Sequence, residues 1–238
     1  MPRKYTLDES FFDVIDTEEK AFALGMIVTD GNITRKHGTI TGFKIDIQSC
    51  DIDVLDCIKG ALKYSGPIRR LDQYDVDGCT RKDKVRLDIS SVRLARALQL
   101  LEVHPAKSMH ETLPSLITRL SRPLILGILA GDGSTFFRRS GRYSRIAVVD
   151  FCGTKELLTG IQAIIPLSVP SSLYRDKRHL NIWSLRFNGR SALLLLSWLY
   201  SPMPRCYMKR KYDKYLEIKK YYEEMDKKKE LARESRCG

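Results

Sequence analysis

The sequence predicts an α+β fold: two pseudo-symmetric αββαββα repeats whose antiparallel β-sheets form a saddle, with one helix from each repeat packed at the centre. Three observations carry this. The phrase Gly25-Met-Ile-Val-Thr-Asp30-Gly31 returns as Gly127-Ile-Leu-Ala-Gly-Asp132-Gly133, 102 residues later. At the same offset Cys50 meets Cys152, Leu55 meets Leu157 and Lys107 meets Lys209, so the repeat extends beyond the phrase. Each copy ends an apolar stretch and is followed by segments that alternate apolar and polar residues, the period of a strand with one wet face. The units are expected at residues 1–120 and 121–238.

In the first unit, Asp16 is expected to cap a helix with Glu19 at its N3 position. Ala21, Phe22, Leu24, Ile27 and Val28 wrap most of its circumference, which predicts burial. Gly25 and Gly127 mark the level where two such helices come together, because a missing side chain lets backbones approach, and this brings Asp30 beside Asp132. Phe43, Ile45 and Ile47 then alternate with Lys44, Asp46 and Gln48. Asp51 is placed to cap a helix carrying Leu55, Ile58 and Leu62. Gly66-Pro67 breaks the chain, and a second pair of strands runs from Ile68 to a segment where Val85, Leu87 and Ile89 alternate with Lys84, Arg86 and Asp88. An amphipathic helix from Val92 to Leu101 completes the unit.

The second unit repeats the plan. Ser121-Arg-Pro123 is expected to start the motif helix, Arg142 to Phe151 a strand, and Lys155 to Ile165 a helix. Tyr174 to Phe187 reads as a hairpin with a basic turn at Asp176-Lys-Arg-His179, and Ser191 to Tyr200 as an apolar helix. Residues 205–236 are rich in Lys, Arg and Tyr with only a weak apolar stripe, the pattern of a long surface helix.

Composition narrows the partners. With 41 Lys+Arg against 29 Asp+Glu the formal charge is +12 and the pI about 9.4, which suits a polyanion. A hydrophobic content of 43% is enough for a real core. No apolar run approaches the roughly 20 residues that cross a bilayer, and Met1-Pro-Arg-Lys-Tyr5 is not followed by a signal segment, so a soluble intracellular protein is expected. Cysteines 50, 57, 79, 152, 206 and 237 contain no C-x-x-C pair and lie at no ligand spacing from histidines 37, 104, 110 and 179. They are expected to be reduced, with Cys50 and Cys152 at equivalent strand ends and no structural zinc. Neither a phosphate-binding loop nor a dinucleotide fingerprint is present.

Asp30 and Asp132 carry the chemistry. Each sits where a helix presents its partial negative end, an unfavourable place for a carboxylate. The conflict is relieved if the two acids converge on divalent cations. One copy alone would read as a turn-forming Asp before a C′ glycine; repetition at a fixed offset favours the shared site.

The segments Ala23–Gly31 and Ile125–Gly133 resemble the two motifs of a single-chain LAGLIDADG homing endonuclease. Asp16-Thr-Glu-Glu-Lys-Ala-Phe22, Pro105-Ala-Lys107-Ser108, Trp198-Leu-Tyr200 and Tyr207-Met-Lys-Arg-Lys-Tyr212 are similar to phrases of the same family, so the resemblance covers nearly the whole chain. It departs from the family where an acid often stands two residues before the essential one: Val28 and Ala130 occupy those places. The resemblance implies a DNA endonuclease that hydrolyses one phosphodiester on each strand of a long target and leaves short 3′ overhangs. It implies Asp30 and Asp132 as ligands of Mg²⁺, for which Mn²⁺ could substitute, and a monomer. Gln48 and its offset mate Asp150 would position water. Lys107 and Lys209 would form the basic pocket, with Lys211 as the other register for the second lysine.

The wet strand faces suit the major groove of double-stranded DNA, where base edges are distinguishable. Candidate base readers are Lys44, Asp46, Arg69, Gln73, Lys84, Arg86, Arg145, Tyr174 and Arg186. Arg35, Lys36, Arg138, Arg139, Lys177 and Arg178 are candidates for phosphates, and Arg70 and Arg175 join the set as neighbours on the same strands. Two alternatives keep weight: a maturase of the same family acting on intron RNA, and a DNA-binding regulator without metal.

Overall fold

The computed structural model describes residues 4–71, 75–76, 79–80, 83–104, 111–116, 118–141, 144–166, 168–177 and 181–237. Its first half runs α1 (Glu18–Asp30), β1 (Gly31–Lys36), β2 (Thr39–Gln48), α2 (Ile52–Ala61), β3 (Arg69–Leu71), β4 (Asp75–Val76), β5 (Cys79–Thr80), β6 (Lys84–Ile89) and α3 (Val92–Leu100). The second runs α4 (Thr118–Asp132), β7 (Gly133–Ser140), β8 (Ser144–Gly153), α5 (Lys155–Ile164), β9 (Ser172–Arg175), β10 (Trp183–Asn188), α6 (Arg190–Tyr200) and α7 (Lys209–Cys237). Two antiparallel sheets share one order, β1-β2-β6-β3 and β7-β8-β10-β9, and β4 and β5 form a separate small ribbon. This is the pseudo-symmetric α+β saddle that the repeat predicts.

Helices α1 and α4 form the central pair. Every residue of α1 from Ala21 to Val28 is apolar or Gly and buried, and α4 is buried from Leu124 to Ala130. A Cβ on Gly25 would lie 2.2 Å from the Leu124 carbonyl oxygen, and one on Gly127 would lie 2.2 Å from the Phe22 carbonyl oxygen. The two glycines therefore face each other, and the helices touch through backbone. Around this pair pack the core faces of both sheets: Phe43, Ile45, Ile47, Val85, Leu87 and Ile89 on one side, Ala147, Val149, Phe151, Leu185 and Phe187 on the other.

Several local expectations are corrected. Helix α1 is capped by Thr17, whose hydroxyl accepts from the Lys20 amide at 3.3 Å, and Asp16 instead pairs with the Lys20 ammonium at 2.8 Å. Asp51 makes no side-chain cap on α2; its buried carboxylate accepts from Arg210 Nε at 3.0 Å and Nη2 at 2.9 Å. Helix α4 begins at Thr118, not at Ser121, and encloses Pro123. That extra turn is held by side chains: Leu120 and Ser121 are buried, while Arg122 donates to the Ser201 carbonyl at 2.7 Å and to Glu18 at 3.3 Å.

The cysteines also differ from expectation. Cys57 on α2 and Cys206 before α7 form a disulfide with their Cα atoms 5.9 Å apart. Nothing in the sequence marks this pair, because 149 residues separate its members and only folding brings them together. Cys50 and Cys152 are exposed thiols in non-equivalent places, a 3₁₀ turn and a β-strand. Among the described residues no helix is long and apolar enough to cross a membrane.

The backbone contact at the central pair gives a direct prediction. Gly25→Ala should destabilise the protein by roughly 1–3 kcal/mol, since the added methyl meets main chain that cannot rotate away. Gly60→Ala, on open α2 surface where an added Cβ meets nothing within 4 Å, should be neutral or stabilising by up to about 1 kcal/mol. Denaturant unfolding of the two variants checks the contrast.

Candidate nucleic-acid interface and active centre

Asp30 and Asp132 are the last residues of α1 and α4. Between them stands Gly131, where a Cβ would lie 2.0 Å from Thr29 Oγ1 and 3.0 Å from Asp30 Oδ2. The Asp30 carboxylate thus rests against the final turn of α4, one residue before Asp132. Two helix C-termini and two acids gather at one point, which concentrates negative potential.

One cation from α7 answers it. Lys211 is buried, and its ammonium donates to the carbonyls of Leu129, of Ala130 at 2.6 Å, of Gly131 at 3.5 Å and of Gly133 at 2.7 Å. Burial, aided by the neighbouring Arg210 charge, pulls its pKa down to about 8, while Asp30, Asp51 and Asp132 pull it up. Lys209 is exposed and paired with Asp213 at 2.7 Å. Of the two registers the sequence left open, Lys211 is therefore the one at the helix ends. Lys107 lies outside the described residues.

Each acid opens into its own cavity. Asp30 shares one with Asp46, Ile47, Gln48, Asp51, Lys84 and Arg210; Asp132 shares the other with Glu111, Cys152, Gly153, Thr154, Asn181 and Ile182. Strand register explains these sets. Gly31 pairs with Ile45, fourteen residues on, whereas Gly133 pairs with Phe151, eighteen residues on, so the second hairpin is four residues longer. Asp46, Ile47 and Gln48 therefore correspond to Cys152, Gly153 and Thr154. The constant offset that matched Gln48 to Asp150 fails on the second strand, because the longer hairpin shifts β8 against β2, and the shorter link from β8 to α5 then brings the following helices back close to the original offset. Asp150 is instead the register mate of Lys44, buried and held by Arg186, whose Nε donates to Oδ2 at 3.0 Å. Thr154, which a fixed offset does not match to Gln48, could have been found by counting hairpin lengths.

On the face away from the core, the first sheet carries Lys44, Asp46, Gln48, Lys84, Arg86 and Arg69 in adjacent register. Arg86 grips Asp46 through Nε at 2.6 Å and Nη2 at 2.7 Å, and Lys44 stands 3.8 Å from the same carboxylate. The second sheet carries Asp150, Arg186, Tyr174 and Arg138, with the Arg186 guanidinium 5.1 Å from the centre of the Tyr174 ring. Arg35 and Lys36 are exposed at the β1–β2 turn, and Lys177 after β9. Four candidates do not share these faces. Arg145 pairs with Arg139 on the core side and stacks over Phe137 at 4.4 Å and Tyr221 at 5.2 Å, so it binds α7 instead of pointing into a groove. Arg70 pairs with Val85 and Arg175 with Trp183, which turns both to the core side of exposed edge strands. Gln73 and Arg178 lie outside the described residues.

Comparison with known proteins agrees with this architecture. No family model and no curated protein matches the sequence. Among solved structures, the I-LtrWI LAGLIDADG homing endonuclease bound to target DNA is 12% identical, with a TM-score of 0.58 over 93% of this chain and 92% of that one. The meganuclease I-SmaMI bound to uncleaveable DNA is 14% identical, with a TM-score of 0.56 over 89% and 92%. I-GzeII in complex with its DNA target is 10% identical, with a TM-score of 0.57 over 89% and 92%. The chain has the LAGLIDADG homing endonuclease fold.

The donors at the centre of this LAGLIDADG fold suit a hard divalent cation. Asp30, Asp132 and the Gln48 amide offer oxygen, the Cys152 thiol stands in the Asp132 cavity, and no group of three or more His, Cys, Asp or Glu converges among the described residues. Mg²⁺ accepts such a sparse set, since one or two carboxylates with substrate oxygens and water complete its shell. Zinc would want nitrogen or sulfur.

Lys211 gives the testable consequence. Its ammonium, followed by ¹³C-lysine NMR, should titrate with a midpoint about 8, below the ordinary 10.5. The sign follows: between those values the folded chain has lost a proton the unfolded chain keeps, so this group makes stability rise with pH across that window. Lys211→Met should abolish the low titration while Lys209→Met leaves it in place.

Proposed function

We propose that this protein is a site-specific double-strand DNA endonuclease that cuts one phosphodiester on each strand with a divalent metal and leaves short 3′ overhangs. The observation carrying the reading is the meeting of Asp30 and Asp132 at adjoining helix ends, with a cavity on each side and a polar sheet face beyond it. One chain supplies both acids, so a monomer suffices. The net charge of +12 favours the polyanion before any specific contact forms.

The residues divide the work as follows. The outward strand faces lie along the major groove and fix the register of the duplex, while Arg35, Lys36, Arg138 and Lys177 take backbone phosphates. Asp30 and Asp132 would hold Mg²⁺, which supplies Lewis-acid polarisation of the phosphate and a nucleophilic water at neutral pH. In the first cavity the Gln48 amide, at the exposed end of β2, orients the attacking water. Lys84 and Arg210 offset charge on the phosphate, and the buried Asp51 fixes the Arg210 guanidinium in place. In the second cavity Asn181 supplies the amide, because the Thr154 hydroxyl is already committed to the Leu157 amide at 3.1 Å. Lys211 neutralises the helix ends so that two carboxylates can stay ionised side by side.

Asp30→Asn and Asp132→Asn should each abolish double-strand cleavage and leave duplex affinity largely intact. The measurement is sequencing of ends cut from a randomised duplex library with Mg²⁺ and with EDTA. Metal-dependent cuts at one long motif are expected. Specific binding with no cuts would instead make the protein a regulator, and full activity in either mutant would sink the shared-metal mechanism.

A further inference from the structure

The outward faces of the two sheets differ at one register. On β7, Ser134, Phe136 and Arg138 point away from the core and pair with Asp150, Val148 and Ile146 of β8. Phe136 is 38% exposed, and Val148 beside it is buried, yet neither joins the main hydrophobic core. The core is instead reached by the next residue, Phe137, whose ring packs edge-on against Tyr221 at 5.1 Å. In the first sheet the matching positions are Thr34 and Gly42, and the Thr34 hydroxyl is bonded to Thr41 at 3.0 Å. The outward face of the second sheet therefore carries an apolar patch, Phe136 beside Val148 and Ile146, where the first sheet has Thr34 and Gly42.

What such a ring would meet follows from its surroundings. Arg138 flanks it on the same strand face, and Arg186 lies across β8 in the register of Asp150 and Ser134. A ligand here must be anionic and yet offer an apolar group between its charges. In the major groove of DNA one base edge does so, the C5-methyl of thymine. We propose that Phe136, backed by Val148, reads thymine methyl groups in the half of the target spanned by the second sheet, and that the first sheet has no equivalent reader. This rests on the endonuclease reading and adds to it an asymmetry between half-sites.

Deoxyuridine tests it, since it differs from thymidine only by that methyl. In the duplex recovered from the library, thymines are replaced by deoxyuridine one half at a time, and binding is measured in EDTA so that cleavage plays no part. One half should lose about fourfold in affinity per methyl contacted, the value of one buried carbon. The other half should tolerate the change. Phe136→Ser and Phe136→Asn, which leave no carbon group to meet the methyl, should no longer distinguish thymine from uracil in the sensitive half. Indifference to uracil in both halves, equal sensitivity in both, or retained discrimination in the variants overturns the proposal, as does a recovered target with no thymine in either half. The uracil scan on the unaltered protein stands even if a variant misfolds. A chain that binds no duplex at all fails the endonuclease reading, whereas one that binds its target and ignores the methyls fails only this inference.

Discussion

Everything at the centre of this molecule depends on two glycines that let α1 and α4 touch backbone to backbone. With Gly25 and Gly127 in contact, the helices end at the same level, and their terminal acids have nowhere to go but beside each other. The sheets follow, because β1 starts at Gly31 and β7 at Gly133 without any intervening loop. The distance between the two polar faces is therefore set by side chains that are absent, and the core on either side serves to hold that spacing.

Such an arrangement creates an electrostatic debt, and α7 settles it. Two helix C-termini and two carboxylates would repel one another in a partly dry site. The Lys211 ammonium enters among four carbonyls of the α4 end and its following turn, and Arg210 reaches Asp51 at the mouth of the Asp30 cavity. A segment that reads as surface helix by composition thus places its first turn against the centre of the molecule. Farther along, α7 is held by Tyr215 stacked on Tyr200, by the Tyr222 hydroxyl accepting from the Ala147 amide at 3.3 Å, and by Glu217 paired with Arg145 at 3.5 Å.

Much of this was legible in the sequence. The repeated phrase located both central helices, and strict alternation in 43–48 and 84–89 named the buried and outward residues of two strands correctly, because a period of two leaves only one choice of face. What failed did so for identifiable reasons. A fixed offset cannot see a hairpin that is four residues longer, so Asp150 was matched to Gln48. Arg145 has the composition of a groove residue and the parity of a core one, and parity decides. Caps moved from Asp16 to Thr17 because both side chains can serve and the backbone selects between them. Lys211 could not be separated from Lys209 without knowing which side of α7 meets α4.

The Cys57–Cys206 bond closes most of the chain into a ring. It joins a helix of the first half to the segment that launches α7, and so runs parallel to the peptide connection between the halves. A single backbone break anywhere between residues 57 and 206 leaves one covalent molecule that still carries both Asp30 and Asp132. In topological terms the protein carries a second link between its repeats, and the peptide that originally joined them is no longer the sole bond keeping one repeat with the other.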